Sequence, residues 1–237
     1  MIEEPKALRI ARDLGPDGTP GWRQPTAAQI AAFRDQPTGF VLDAMMGAGA
    51  MSAAIKPCAG LPDRLCGPAL PVGNRPGDVL ATLAAIHMVR PGDILVAGFD
   101  GYQGCAAAGD RVMGFLRNRG GAGFVTDGPL RDLTGLRGIG LPAFCTGLTP
   151  GSPVARGPGT VGLPVRCGGQ QVETGDMIVG DSDGIVVVPF ARIDAVIAAL
   201  RGVAEAELSL DAQVADGLAE VGLISAMLES GEDIDWV

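Results

Sequence analysis

The chain has 237 residues, of which 47% are apolar and 19% charged, enough to bury the core of one folded domain. Its net charge is −9, from 18 Lys and Arg against 27 Asp and Glu. This balance disfavours direct nucleic-acid binding, because no basic surface remains to neutralise a phosphate backbone. Five cysteines without C-x2-C spacing and a single histidine argue against structural zinc and against a histidine-based triad.

The N-terminus carries no signal for export or membrane insertion. Its first residues are acidic and lack an apolar segment, and no run reaches the roughly 18 apolar residues of a membrane span. We therefore expect a cytoplasmic protein without a membrane partner.

Residues 1–25 contain four prolines and no sustained periodicity, which predicts an N-terminal arm lying on the surface or on a neighbouring subunit. We place the folded domain at 26–237. Thr26 and Gln29 have the spacing of a capping box and predict a helix over 26–33. A second helix is expected over 38–46, where glycines follow.

The pattern then alternates between strands and helices. A strand at 68–72, a helix at 78–89 and a strand at 94–97 form one β-α-β unit, and a helix at 110–118 and a strand at 124–126 extend it. The remaining predicted elements are strands at 142–145, 161–166, 177–179 and 185–188 and helices at 190–215 and 218–228. This order indicates the α/β class.

Two charged pairs mark the candidate site. Asp110 opens a predicted helix after Gly109, and Arg131 and Asp132 follow a predicted strand, with 20 residues between Asp110 and Arg131. One helix and one strand return the chain to the same sheet edge, so both carboxylates can face one pocket.

Carboxylate oxygens suit Mg²⁺, and the Arg131 guanidinium together with the free N–H groups at the helix start could hold the anionic groups of a 2-oxo acid. The alternative is structural: Asp110 would only cap the helix, and Arg131 and Asp132 would form a solvated turn.

Further segments resemble a known family, the RraA-like family. The resemblance covers about residues 38–210 and rests on these segments: Gly109-Asp110, Val125-Thr126-Asp127-Gly128-Pro129-Leu130-Arg131-Asp132, Pro142-Ala143-Phe144, Pro164-Val165, Gly168-Gly169 and the run 175–189. The family includes the regulator of ribonuclease activity A and the 4-hydroxy-4-methyl-2-oxoglutarate aldolases. Some members are also labelled demethylmenaquinone methyltransferases, although no glycine loop for a methyl donor is present here.

The resemblance implies an α/β fold, a single-domain α-β-β-α sandwich of swivelling-domain type with mixed sheets. It also implies homotrimers or homohexamers whose active site lies between subunits. The implied activity is a class II, metal-dependent retro-aldol cleavage of a 4-hydroxy-2-oxo acid to pyruvate, with oxaloacetate decarboxylation as a side activity. The alternative within the family is a non-catalytic, protein-binding regulator.

The resemblance also implies roles for individual residues. Asp132 would bind Mg²⁺, or Mn²⁺ or another divalent cation, and Asp110 would contribute through water. Arg131 would bind the pyruvyl group and stabilise its enolate, and Gly109 with the amides of Arg111 and Val112 would hold the substrate carboxylate. Glu207, with Glu205 as an alternative, is the nearest match to an acidic residue that approaches the metal from a neighbouring subunit.

The chain departs from aldolase-type members at two positions, Arg111 and Thr146, which leaves the far end of the substrate open. Three other features favour structural roles. His87 is predicted to pack in the core, Cys105 to act as a small buried hydrophobic residue rather than a pocket thiol, and residues 181–184 to form a turn rather than a calcium loop.

Overall fold

The computed structural model describes residues 7–12, 22–231 and 233–237. The strands are β1 (Leu8–Ile10), β2 (Lys56–Pro57), β3 (Leu65–Gly73), β4 (Ile94–Gly98), β5 (Gly123–Thr126), β6 (Ala143–Cys145), β7 (Gly159–Val161), β8 (Val165–Cys167), β9 (Gln170–Val172), β10 (Met177–Asp181) and β11 (Gly184–Val188). The helices are α1 (Ala27–Phe33), α2 (Thr38–Asp43), α3 (Leu80–Ile86), α4 (Asp110–Asn118), α5 (Leu133–Ile139), α6 (Ile193–Ala215) and α7 (Gly222–Ser230), with a 3₁₀ turn at Phe190–Arg192.

The chain divides into two compact units, Met1–Leu200 and Arg201–Val237. The first contains every strand of the described residues and the helices up to the start of α6. The second consists of the rest of α6 and of α7, and α7 has no buried residue.

Strand β3 links the two β layers of the first unit. Its first half pairs antiparallel with β10, and its second half pairs parallel with β4. The main sheet continues through β5 and β6, which are also parallel, and ends on β2, while β7 and β1 extend it on the other side of β3. The β10–β11 hairpin forms the second layer.

Strict alternation along the strands separates the core into layers. In β4, Leu95 and Ala97 pack towards α3, α4 and α5, whereas Ile94 and Val96 pack towards the hairpin. In β11, Ile185 and Val187 face the main sheet, whereas Val186 and Val188 face α1, α2 and α6. Because successive strand residues point to opposite faces, the result is a helix-sheet-sheet-helix sandwich. The predicted α-β-β-α fold with mixed sheets is confirmed.

Several predicted elements agree closely with the structure. Helix α1 begins at a complete capping box between Thr26 and Gln29, and α4 covers the predicted residues 110–118. The predicted turn at 181–184 is confirmed as the tight connection between β10 and β11.

Other elements differ. Helix α2 ends at Asp43 rather than 46, because Met46 and Gly47 adopt positive φ and the Gly47 N–H closes back on Leu42 O. The predicted strand at 161–166 is two strands, β7 and β8, because Gly162 turns the chain at φ +72°. Helix α5 was not predicted, since two glycines in its seven residues interrupt the apolar pattern.

The N-terminal arm and His87 also differ from the expectations. Part of the predicted arm is ordered as β1, a parallel partner of β7, whereas residues 1–6 and 13–21 of the arm lie outside the described residues. His87 is exposed at the C-terminal end of α3, so its predicted place in the core is wrong.

No helix among the described residues has the length and apolar character needed to cross a bilayer.

Candidate active site

Two loops leave the same edge of the sheet and are joined by Asp127. The first runs from the end of β4 to α4, and the second from the end of β5 to α5. The Asp127 carboxylate accepts the N–H of Phe99 at 2.6 Å and that of Gly101 at 3.1 Å. Further along, the Ala107 N–H donates to Pro129 O at 2.8 Å. The two loops are therefore fixed relative to each other.

Leu130 stands between two neighbouring segments in a short backbone ladder. It bridges in parallel to Ala108 on one side and to Leu148 on the other. Its N–H donates to Gly147 O and its carbonyl accepts the Thr149 N–H, both at 2.9 Å. Leu130 is fully buried, so the residues directly after it start from a rigid position.

Two glycines leave room for the carboxylates of Asp110 and Asp132. Gly109 precedes α4, and a Cβ there would lie 2.6 Å from Asp132 Oδ2 and 3.0 Å from Arg131 Cγ. Gly135 in α5 leaves similar room for the Asp110 carboxylate. Because Gly109 offers no capping side chain, the first-turn N–H groups of α4 stay open to the cavity.

Asp132 has a left-handed backbone, with φ +62° and ψ +45°, directly before α5. Aspartate tolerates this conformation better than most residues, and such strained positions cluster at functional sites. Its Oδ2 lies 3.3 Å from Arg131 Nε, and both side chains are partly exposed. Arg131 Nη1 also donates to Ser152 Oγ at 2.6 Å.

Arg131 and Asp132 line two cavities. One of about 350 Å³ is lined by Gly109, Asp110, Arg111, Val112, Arg131 and Asp132. The other, of about 320 Å³, is lined by Arg131, Asp132, Leu133, Leu148, Thr149 and Pro150. The first is lined mainly by charged residues, whereas half of the residues that line the second are apolar.

The structure brings together the residues that the sequence analysis grouped from Gly109 to Asp132. Asp110, Arg111, Val112, Arg131 and Asp132 share the first cavity with Gly109. Val112 is partly buried and also packs against the hydrophobic core cluster that includes Met113 and Leu116. Glu207 and Glu205 lie on α6 in the second unit, and their approach to a neighbouring subunit's site stays a prediction.

Three other residues can now be placed. Cys105 is buried and packs with Phe99, and burial raises the pKa of its thiol more than the Arg131 charge lowers it, which agrees with the predicted packing role. Thr146 donates to Gln103 Oε1 at 2.7 Å and so braces the loop before α4. Lys56 donates to Asp183 O, and Lys6 lies outside the described residues.

No sequence pattern predicted a role for Ser152, for Gly135 or for the segment 148–150 that lines the second cavity. Ser152 reaches Arg131 across 21 positions of the chain, and Gly135 belongs to the helix that was not predicted. No local pattern marks either contact. The segment 147–152 is rich in turn-forming residues. This composition predicts a loop there, but it does not predict which residues the loop contacts.

Comparison with known proteins agrees with this fold. The sequence profile of the RraA-like family, described as aldolase/RraA, matches residues 38–187. A Halalkalibacterium halodurans protein with the provisional name 4-hydroxy-4-methyl-2-oxoglutarate aldolase is 39% identical over 160 residues, which cover 68% of this chain and 76% of that protein.

Solved structures share the architecture. The RraAS2 protein of Streptomyces coelicolor, described as an unusual member of the RNase ES inhibitor RraA family, superposes with a TM-score of 0.68 at 28% identity, covering 79% of this chain and 98% of that one. An uncharacterised Pseudomonas syringae protein superposes with a TM-score of 0.71 at 24% identity, covering 83% and 96% of the two chains, and shows the fold alone.

The structure is thus an α-β-β-α sandwich with a carboxylate-arginine cavity at its sheet edge. The chain belongs to the RraA-like family of aldolases and RraA proteins.

Proposed function

We propose that the protein is a divalent-metal-dependent lyase that cleaves a 4-hydroxy-2-oxo mono- or dicarboxylic acid by a retro-aldol reaction and releases pyruvate. Oxaloacetate decarboxylation is the expected side activity, because it passes through the same enolate. The observation that carries the proposal is the cavity of about 350 Å³ in which Asp110, Asp132 and Arg131 meet the open N-terminus of α4.

The charges of this cavity match the needs of the reaction. In the retro-aldol reaction the C4 hydroxyl loses its proton and becomes a carbonyl as the bond between C3 and C4 breaks. The bonding electrons leave negative charge on the oxygen at C2, and protonation at C3 then gives pyruvate. The Arg131 guanidinium supplies a positive, hydrogen-bonding group for that oxygen, and the amides of Arg111 and Val112 supply donors for the substrate carboxylate. The substrate would thus be held at its C2 oxygen and at its carboxylate.

The donor set fits a hard divalent cation. Among the described residues no three His, Cys, Asp or Glu side chains cluster in a way that could hold a metal ion, and the cavity offers two carboxylates, the half-buried Asp110 and the exposed Asp132. Mg²⁺ prefers this arrangement, because it keeps several water ligands and binds through one or two carboxylates. Asp132 would hold the ion and Asp110 would assist through water; a bound cation supplies Lewis-acid stabilisation of the enolate.

An imine mechanism receives no support from the cavity. It would require a lysine beside the substrate, and Lys56 is engaged with the β10–β11 turn by a 2.6 Å bond to Asp183 O. Arg131 cannot take that role, because a guanidinium stays protonated and is a poor nucleophile.

The test is a pyruvate-release assay coupled to lactate dehydrogenase, with oxaloacetate and 4-hydroxy-4-methyl-2-oxoglutarate as substrates. We expect turnover with Mg²⁺ or Mn²⁺, loss of turnover with EDTA, and recovery when the metal is returned. The Asp132→Asn variant keeps a side chain that tolerates left-handed backbone but lacks the charge, and we expect it to be inactive and folded. Undiminished turnover in EDTA, or in this variant, would contradict the proposal.

The second candidate is a protein-binding regulator, and the charge distribution favours it. Residues 201–237 contain nine of the 27 acidic residues and one of the 18 basic ones. The same unit carries exposed apolar side chains, including Leu223 at 70% and Trp236 at 71%. An acidic surface with apolar groups suits a basic partner. A stoichiometric complex with a partner, combined with no pyruvate release under any metal, would favour this candidate.

A further inference from the structure

The Arg131 guanidinium is held from two sides by chemically different groups. Its Nε faces Asp132 Oδ2 at 3.3 Å, which is a long contact, and its Nη1 donates to Ser152 Oγ at 2.6 Å, which is a short one. A guanidinium has five N–H donors in one plane, so two anchors fix the plane and leave the Nη2 edge for a ligand.

The Ser152 hydroxyl stands on a well-fixed part of the backbone. One residue earlier, the Gly151 carbonyl accepts the Ala106 N–H at 3.0 Å, and a Cβ at Gly151 would lie 2.9 Å from Gly104 O. Three residues earlier, the Thr149 N–H donates to Leu130 O. The segment 147–152 is thereby tied to both loops that build the cavity.

The two anchors differ in what they do to the charge of Arg131. The Asp132 carboxylate offsets the positive charge of Arg131. It is also the proposed metal ligand, so the metal ion and Arg131 would compete for its oxygen atoms. A serine hydroxyl carries no net charge and can orient the guanidinium while leaving its positive charge available to an anion.

We propose that Ser152 is a positioning residue that orients the Arg131 guanidinium towards the substrate's C2 oxygen. The inference rests on the proposed lyase function for its catalytic consequence, and on the 2.6 Å contact for the placement of Arg131. Because Ser152 touches Arg131 rather than the reacting atoms, its loss should weaken transition-state stabilisation while leaving metal affinity unchanged.

The first experiment measures the placement of Arg131 without metal or substrate. Wild type, Ser152→Ala, Ser152→Thr and the matched control Ser52→Ala are treated with phenylglyoxal, and modification of Arg131 is followed by peptide mass spectrometry. Arg137, whose Nε donates to Ala59 O, serves as the internal reference. We expect Arg131 in Ser152→Ala to react about threefold faster, because the released guanidinium is more accessible, with wild-type rates in Ser152→Thr and Ser52→Ala. Equal rates in all four proteins would overturn the contact.

The second experiment uses the Mg²⁺-loaded enzyme and the pyruvate assay. We expect kcat to fall about tenfold in Ser152→Ala with KM changed by less than about twofold, and to return close to wild type in Ser152→Thr. Mg²⁺ affinity measured by calorimetry should be the same in all variants. An unchanged kcat, a loss confined to KM, or no rescue by threonine would overturn the positioning role.

The two experiments separate failure of the inference from failure of the proposed function. Wild-type protein that releases no pyruvate with any metal overturns the lyase function and with it the catalytic effect of Ser152. The phenylglyoxal rates still decide whether Ser152 holds Arg131, because they depend on neither metal nor turnover.

Discussion

At the scale of single residues, the site depends on the planar shape and multiple donors of the Arg131 guanidinium as well as on its charge. Its side chain lies between Asp132 and Ser152 and faces the cavity that contains the N-terminus of α4. A planar fork can contact three groups at once, whereas an ammonium is a point charge on a flexible stem. The geometry therefore distinguishes arginine from lysine at this position.

The Arg131→Lys variant tests this distinction. We expect kcat for pyruvate release to fall by about 100-fold or more, because a lysine cannot hold the enolate oxygen while it is also oriented by Ser152. Thermal unfolding should change little, since the side chain is partly exposed. Steady-state kinetics and a melting curve give both numbers. An active lysine variant would mean that charge alone suffices.

Gly109 is the second residue-scale test, because it separates steric fit from stability. A Cβ at this position meets Asp132 Oδ2 at 2.6 Å, and the end of a side chain can move away at small cost. We expect Gly109→Ala to fold normally and to lose most activity because the Asp132 carboxylate is displaced.

The matched control for Gly109 is Gly138→Ala. A Cβ at Gly138 in α5 would meet nothing within 4 Å, so activity should persist and stability should rise by about 0.5–1 kcal/mol. Urea unfolding together with the pyruvate assay compares the two variants. Equal activities of Gly109→Ala and Gly138→Ala would show that a Cβ at Gly109 does not displace the Asp132 carboxylate.

At the scale of elements, one buried carboxylate connects the hairpin layer to helix α2. Asp181, at the end of β10, accepts the N–H and the hydroxyl of Thr38 at 2.8 Å each, where α2 begins, and the Asp183 N–H at 2.9 Å. Burial alone would raise the pKa of this carboxyl, but these hydrogen bonds together with the charge of Arg64 outweigh burial, and the pKa is lowered.

The lowered pKa of Asp181 gives a stability prediction with a definite sign. A folded pKa below the unfolded value of about 3.9 stabilises the fold above that pH, and this stabilisation is lost as the pH falls through the folded value. We expect Asp181→Asn to lower the free energy of unfolding by about 1–3 kcal/mol at neutral pH, and the difference from wild type to shrink in acid.

Urea unfolding of both proteins at neutral pH and at about pH 3 measures this difference. Asp183→Asn is the control, since the Asp183 side chain is exposed and its backbone N–H makes the contact. A difference that stays constant with pH would show that the ionised form of Asp181 adds nothing to stability.

At the scale of the whole molecule, stability and charge are distributed unequally. No described residue after Leu200 belongs to a hydrophobic core cluster. The residues after Leu200 nevertheless hold one third of the acidic residues of the chain. The first unit thus supplies the core of the fold, and the second supplies most of the net negative charge.

A chain ending at Gly202 tests this division. We expect its melting temperature to lie within about 2 °C of the full chain, because no core side chain is removed, and its binding to an anion exchanger to be much weaker. A large loss of thermal stability would show that the second unit contributes to the fold.

The same truncation tests the predicted role of Glu207. If this residue serves the site of a neighbouring subunit, the truncated chain and the full-length Glu207→Gln variant should both lose activity while remaining folded. Full activity in both would remove Glu207 from the site.

The sequence by itself determined the fold class and the main charged groups of the site. The short apolar runs of β4 and β11, the capping box at Thr26 and the spacing of Asp110 from Arg131 are local signals, and each one can be read without the tertiary structure. Helix α5 was not predicted because its two glycines interrupt the apolar pattern. Strand β1 was not predicted because three residues are too few to show a period.

Tertiary structure alone decided how the charged groups are held. The contact of Ser152 with Arg131, the room that Gly109 and Gly135 leave for the carboxylates, and the exposure of His87 all involve residues distant in the chain or the solvent boundary. Local propensity carries no information about such contacts, because they depend on which segments the folded sheet brings to the same edge.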